Sequence, residues 1–156
     1  MKIKLIMGVL AVLLALSLLA CSSKSTEIPP GTPDPSTYAA ATTVEFYTCN
    51  DFATEPNMTD DVVFTVGKGV SIILCSNQTT GFQWNEQAQI SDPEVIEQTG
   101  HQYSAPSSSK PGAAGTETFN LKGLKKGTAT VKLEYSRPWE GGEKAEWTCT
   151  LNITVK

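Results

Sequence analysis

Apolar and polar positions alternate along most of the C-terminal half of the chain. Ala129, Val131, Leu133 and Tyr135 share one face of an extended segment whose other face carries Thr130, Lys132 and Glu134. Trp147, Cys149, Leu151, Ile153 and Val155 alternate in the same way with Thr148, Thr150, Asn152 and Thr154. A period of two belongs to strands with one face buried, because successive side chains of an extended backbone point to opposite sides. Val62, Phe64 and Val66, then Val70, Ile72 and Leu74, repeat it. Weaker segments follow at Val44 to Cys49, Phe82 to Asn85, Val95 to Gln98 and Glu117 to Leu121. About eight short strands separated by Gly, Pro and Asp-rich turns predict an all-β fold, an immunoglobulin-like β-sandwich of seven to eight strands. No long amphipathic helix is predicted after the N-terminal segment.

That N-terminal segment breaks the pattern. Lys2 and Lys4 precede an uncharged apolar run from Leu5 to Ala20, and Leu18-Leu19-Ala20-Cys21 is followed by serines. This is read as a lipoprotein signal peptide over residues 1–20, since its ending resembles the lipobox at which bacteria acylate a cysteine and cleave before it. A spanning helix needs about 20 apolar residues, and this run is shorter. The mature chain is therefore expected to begin at Cys21, carrying lipid such as palmitate. It is expected to be exported and anchored to the bacterial cell envelope, on the outer face of the cytoplasmic membrane or on the outer membrane. Residues 21–43 hold Pro29, Pro30, Pro33 and Pro35 among Ser, Thr, Gly and Ala, a tether composition with little to build a core. Residues 44–156 are left as the single working domain, expected to be a monomer.

Charge and chemistry narrow the function classes. The chain has 12 basic against 16 acidic residues, and loss of the two signal lysines leaves it more acidic still. That composition excludes nucleic acid as a partner and leaves the lipid as the only expected membrane contact. The single histidine, His101, lies on a polar segment and is read as a surface residue, so no nucleophile has an adjacent base and no catalytic residue is assigned. Cys49, Cys75 and Cys149 form no close-spaced ligand pair, so neither metal nor cofactor is expected. Cys149 falls on an inward face between Trp147 and Leu151, where it serves as a small hydrophobe. The expected disulfide is therefore Cys49–Cys75, tying the N-terminal strand to the strand at Val70.

If the strands from Val70 onward run antiparallel, three connections share one end of the sandwich. Asn77-Gln78-Thr79-Thr80-Gly81-Phe82 is polar and stiffened by two β-branched threonines. The connection from Ser104 ends in Gly112-Ala113-Ala114-Gly115, where no side chain exceeds a methyl and another backbone can come close. Arg137-Pro138-Trp139 leaves a strand at a proline, and its Arg and Trp are residue types that dominate binding hot spots. Each loop also has a plainer reading: a turn, a solvent loop, and for Trp139 a plug folded over the sandwich end.

Together these loops resemble the three inhibitory loops of chagasin-like inhibitors of papain-type cysteine peptidases. The ordered pair Thr-Thr-Gly-Phe-x-Trp and Arg-Pro-Trp carries the resemblance, which covers about Val62 to Lys156. The family usually has proline where this chain has Gln78, and glycine where it has Ala114. The resemblance implies an inhibitor whose partner is a papain-like cysteine peptidase. Because Asn77 to Gly81 has no strong nucleophile and no electrophile beyond ordinary amides, inhibition is expected to be reversible, non-covalent and non-enzymatic. Asn77, Gln78, Thr79, Thr80, Gly81 and Phe82 would enter the active-site cleft. Gly112, Ala113, Ala114 and Gly115 would offer backbone contacts, and Arg137, Pro138 and Trp139 would anchor the other side. The alternative is an immunoglobulin-like adhesion or ligand-binding module using the same loops, which fold alone does not separate from an inhibitor.

Overall fold

The computed structural model describes residues 41–156, with side chains from residue 43 onward; the signal, Cys21 and nearly all of the tether lie outside the described residues. In chain order the elements are β1 (Ala41–Tyr47), α1 (Cys49–Thr54), β2 (Asn57–Phe64), β3 (Gly69–Ser76), β4 (Gln83–Trp84), β5 (Gln89–Ile90), β6 (Ile96–Ser104), β7 (Gly115–Gly123), β8 (Gly127–Ser136) and β9 (Trp147–Val155). One sheet has the order β1-β3-β7-β6, the other β2-β9-β8-β4 with β5 also on β8. The sheets form the immunoglobulin-like sandwich that alternation predicts. Val70, Ile72 and Leu74 from β3, Phe119 and Leu121 from β7, Val131, Leu133 and Tyr135 from β8, and Cys149, Leu151, Ile153 and Val155 from β9 are all buried. Trp84 is fully buried among them. Among the described residues no helix is long and apolar enough to cross a membrane.

Besides the short β4, cut to Gln83–Trp84 from the expected Phe82 to Asn85, and the unexpected β5, three boundaries differ from the sequence reading. The first strand stops at Tyr47, because Thr48 caps a helix: its side chain accepts from Asp51 N at 3.2 Å, while Asp51 Oδ2 accepts from Thr48 N at 2.7 Å. A helix of six residues cannot stand alone. It is held by Phe52, 1% exposed, whose ring stacks on Trp147 at 5.1 Å and meets Trp84 at 5.2 Å. It is also held by the Cys49–Cys75 bridge, with Cα atoms 5.2 Å apart. The second difference is that the strand expected at Val62 to Val66 is β2, which starts at Asn57 and ends at Phe64. Val66 lies beyond it, 43% exposed, and is not a core residue. The third is that β6 runs to Ser104 and β7 starts at Gly115, so both are longer than their apolar positions suggested.

Register fixes the polarity of the domain. β1 runs parallel to β3, beginning beside Gly69 and ending with Tyr47 beside Leu74. The chain thus enters at the pole where β3 starts. Ser76 at the end of β3 lies beside Gly115, Ser104 at the end of β6 beside Thr116, and Ser136 at the end of β8 beside Gln83. The β3–β4, β6–β7 and β8–β9 connections therefore leave together from the opposite pole. Helix α1 sits at that pole too, because β2 begins with Asn57 beside Thr148, just after the third loop.

Candidate functional site

The central loop is a small, internally bonded object. Gln78–Thr80 form one 3-10 turn, capped by Asn77, whose Oδ1 accepts from Thr79 N at 3.3 Å and Thr79 Oγ1 at 2.6 Å. Thr80 Oγ1 donates to Asn77 O at 2.7 Å, and Gly81 N donates to Gln78 O at 3.0 Å. Gly81 closes the turn at φ 81° and ψ 0°, a left-handed conformation that costs L-residues energy. The stems are fixed as well. Asn77 N donates to the Tyr135 hydroxyl at 2.8 Å, and Trp84 Nε1 donates to Cys75 O at 2.9 Å.

The flanking loops lean on this turn. Asn77 Nδ2 donates to Gly112 O at 3.1 Å, which joins the second loop to the first. On the other side, the Trp139 ring lies over Gly81: a Cβ there would stand 2.6 Å from Trp139 Cη2. The Arg137 guanidinium stacks over the Phe82 ring at 4.4 Å and stands 5.9 Å from Trp139, while Phe82 stacks on Tyr135 at 5.4 Å. The third loop closes on itself through Arg137 N to Glu143 O at 2.8 Å, and the Lys144 ammonium donates to the carbonyls of Arg137 and Trp139.

This arrangement divides the expected site residues. Gln78, Thr79, Thr80, Gly112, Ala114, Pro138 and Trp139 are exposed at the pole, with Asn77, Gly81, Ala113 and Arg137 half-buried beneath them. Trp139 is 52% exposed, so it is not a plug in the sandwich end. Phe82 and Gly115 are buried and cannot present a surface. Gly115 is the first residue of β7, and a Cβ there would fall 2.2 Å from Ser104 O. Its glycine serves strand packing, in place of the exposed backbone contact expected from sequence.

Two residues below the loop escaped the sequence reading. Glu117 is 1% exposed, and its Oε1 accepts from Ser76 Oγ at 2.7 Å and Trp84 N at 3.3 Å. Its Oε2 lies 2.8 Å from His101 Nε2. His101 is not a surface residue: its ring stacks on Phe119 at 4.3 Å and its side chain is 20% exposed. Strand phase carried the signal for the carboxylate, since Glu117 is in step with Phe119 and Leu121. The central loop carries no thiol or other strong nucleophile. Cys149 is buried, and desolvation pushes its thiol up to about 12. Among the described residues no group of His, Cys, Asp and Glu is placed to hold a metal ion.

Residues 63–153 match the family described as Chagasin family peptidase inhibitor I42. The chain belongs to this family. It is 41% identical over 78 residues to chagasin of Trypanosoma cruzi, covering 49% of this chain and 71% of that one. It is 32% identical over 87 residues to amoebiasin-2 of Entamoeba histolytica, covering 56% and 70%. The cysteine protease inhibitor EhICP2 of Entamoeba histolytica superposes with a TM-score of 0.52 at 25% identity, over 73% of this chain and 96% of that one. PbICP-C, solved in complex with falcipain-2, shares the fold with a TM-score of 0.51 at 19% identity, over 72% and 99%. Members of the chagasin family are peptidase inhibitors and not enzymes. The matched segment contains all three loops, while β1, α1 and Cys49 precede it.

Proposed function

We propose that this chagasin-family protein is a reversible, non-covalent inhibitor of papain-type cysteine peptidases, acting as a wedge whose edge is Asn77 to Gly81. The observation that carries the reading is the mutual bonding of the three loops, from Asn77 Nδ2 to Gly112 O on one side and from Gly81 to the Trp139 ring on the other. Ordering loops on binding costs free energy, and these are ordered beforehand. An interface of about 800 Å² per partner is within reach of three loops at one sandwich end. Thr79, Thr80, Ala114, Pro138 and Trp139 make the contact. Phe82, Gly115 and Tyr135 support it from below.

The wedge supplies no chemistry of its own. Asn77 to Gly81 has no thiol and no electrophile beyond ordinary amides, so occupancy and hydrogen bonding produce the inhibition. A turn closed by its own hydrogen bonds also resists the near-attack geometry that cleavage requires. The proposal includes placement: an acyl group on Cys21 holds a monomer at the outer surface of a bacterial membrane, and the tether enters the domain at the pole away from the loops, which leaves the wedge facing outward. Titration of the full-length chain against active papain tests the central claim. Stoichiometric, reversible loss of activity is expected, with no change in intact mass of either protein. Full papain activity at excess inhibitor, or a covalent adduct, refutes it.

A further inference from the structure

Glu117 holds both stems of the central loop with a single oxygen. Ser76 is the last residue of β3 before the loop, and Trp84 lies in β4 just after it. Glu117 Oε1 takes the hydroxyl of the first at 2.7 Å and the backbone N–H of the second at 3.3 Å. These groups come from opposite sheets, so the carboxylate spans the sandwich directly under the loop. The other oxygen meets His101 Nε2 at 2.8 Å, and the His101 ring is fixed by stacking on Phe119. A carboxylate that is 1% exposed is expensive unless its lone pairs are used, and here three donors use them. A core residue at this position would fill the same space without that cost, so apolar packing does not explain a glutamate here.

We infer that Glu117 is a positioning residue of the inhibitory wedge: by tying Ser76 to Trp84 it sets the separation of the loop stems, and with it the closed 3-10 turn that meets the peptidase. His101 orients the carboxylate. The inference rests on the functional reading above for its effect on inhibition, while its structural half stands apart. The Ser76 bond at 2.7 Å is the shorter of the two stem bonds and the Trp84 bond at 3.3 Å the longer, so the hydroxyl carries most of the tie. When they are lost, the stems are still joined by the Tyr135 hydroxyl and the Trp84 indole, so the turn loosens without the strands separating.

The test compares full-length parent, Glu117→Leu and Ser76→Ala by amide hydrogen exchange and by inhibition of papain. Exchange of the Thr80 and Gly81 amides, which donate to Asn77 O and Gln78 O, is expected to quicken about tenfold or more in both variants. The amides of β9 should stay protected. Inhibition should weaken by a similar factor. Ile153→Val, a core change far from the loops, serves as the control: it lowers the melting temperature but should move neither reading. Should Glu117→Leu fail to fold, Ser76→Ala alone decides, since it removes a single hydroxyl. Unchanged turn exchange in the folded variants overturns the inference. Quickened exchange supports the positioning role even if the parent proves inactive against papain, an outcome that would refute the functional reading alone.

Discussion

Gly81→Ala separates what the turn needs from what the peptidase needs. Two costs arise at that position. An L-residue at φ 81° pays about 1–2 kcal/mol, and the gain from restricting the unfolded chain returns about 0.4–1 kcal/mol, leaving a stability loss of about 1 kcal/mol. The second cost is steric: the new methyl would stand 2.6 Å from Trp139 Cη2, and carbon contacts settle near 3.5–4.0 Å, so the ring must withdraw by about 1 Å. Trp139 is half in solvent and can swing out without disturbing the core, so the fold tolerates the move. Binding does not, because the anchor leaves its seat. Urea denaturation is therefore expected to show the small loss, and titration against papain a rise in Ki of about 30-fold or more, as for removal of a hot-spot side chain. Gly81→Asn sharpens the test, since asparagine accepts the left-handed region but keeps the clash. It should recover most of the stability and little of the inhibition. Full recovery of inhibition in that variant would refute the claim that the Trp139 seat matters.

Trp139→Ala should weaken papain binding by about 2 kcal/mol or more with an unchanged urea midpoint; a collapse of stability would show that the ring serves the fold. Replacing Cys49 and Cys75 together by serine releases a bridge spanning 26 residues and should cost about 3.5 kcal/mol of stability by the chain-entropy relation, read from denaturant unfolding. Cys149 should resist iodoacetamide at pH 8 until denaturant is added. Its thiol is raised from 9.0 to about 12, so the fold favours the protonated form. That contribution is complete below pH 9 and is lost as the pH climbs towards 12, and the urea midpoint should fall across that window. Cys21→Ser should abolish lipidation and release the chain from the membrane fraction; unchanged partitioning into detergent would refute the anchor.

The strands with one buried face were legible because burial and period coincide, as in Ala129 to Tyr135. Edge strands were not. Asn57 to Asp61 in β2 are mostly exposed and pair only with β9, so nothing in their polarity marks them as a strand. β6 is a margin strand as well, and its mostly half-buried Glu97 to Gln102 are polar or glycine without the apolar alternation that marks a strand. Helix α1 was hidden by its brevity, although Thr48 and Asp51 spell its cap. At the pole, the three loops could be placed by strand parity. Their mutual contacts could not, because Asn77 Nδ2 on Gly112 and Trp139 on Gly81 depend on tertiary distances. Glu117 was readable in principle by extending the phase of Phe119 and Leu121, where a charged residue falls on the buried face.

The parallel pairing of β2 with β9 has a kinetic consequence. Thr148 and Asn57, bonded side chain to side chain, are 91 residues apart in the chain, and the pairing continues to Phe64 and Val155. Closing so long a loop is paid for before the contact rewards it, which places this domain among slow folders. A chain made from its N-terminus cannot complete its second sheet until its last strand has emerged. Until then β2 is an unpaired edge, α1 lacks the Trp147 ring beneath Phe52, and the third loop has no second stem. The third loop is thus the part of the inhibitory pole that waits for Trp147, and a chain cut short before it would carry Arg137 and Trp139 on a strand end with no return strand, leaving the wedge without one of its sides.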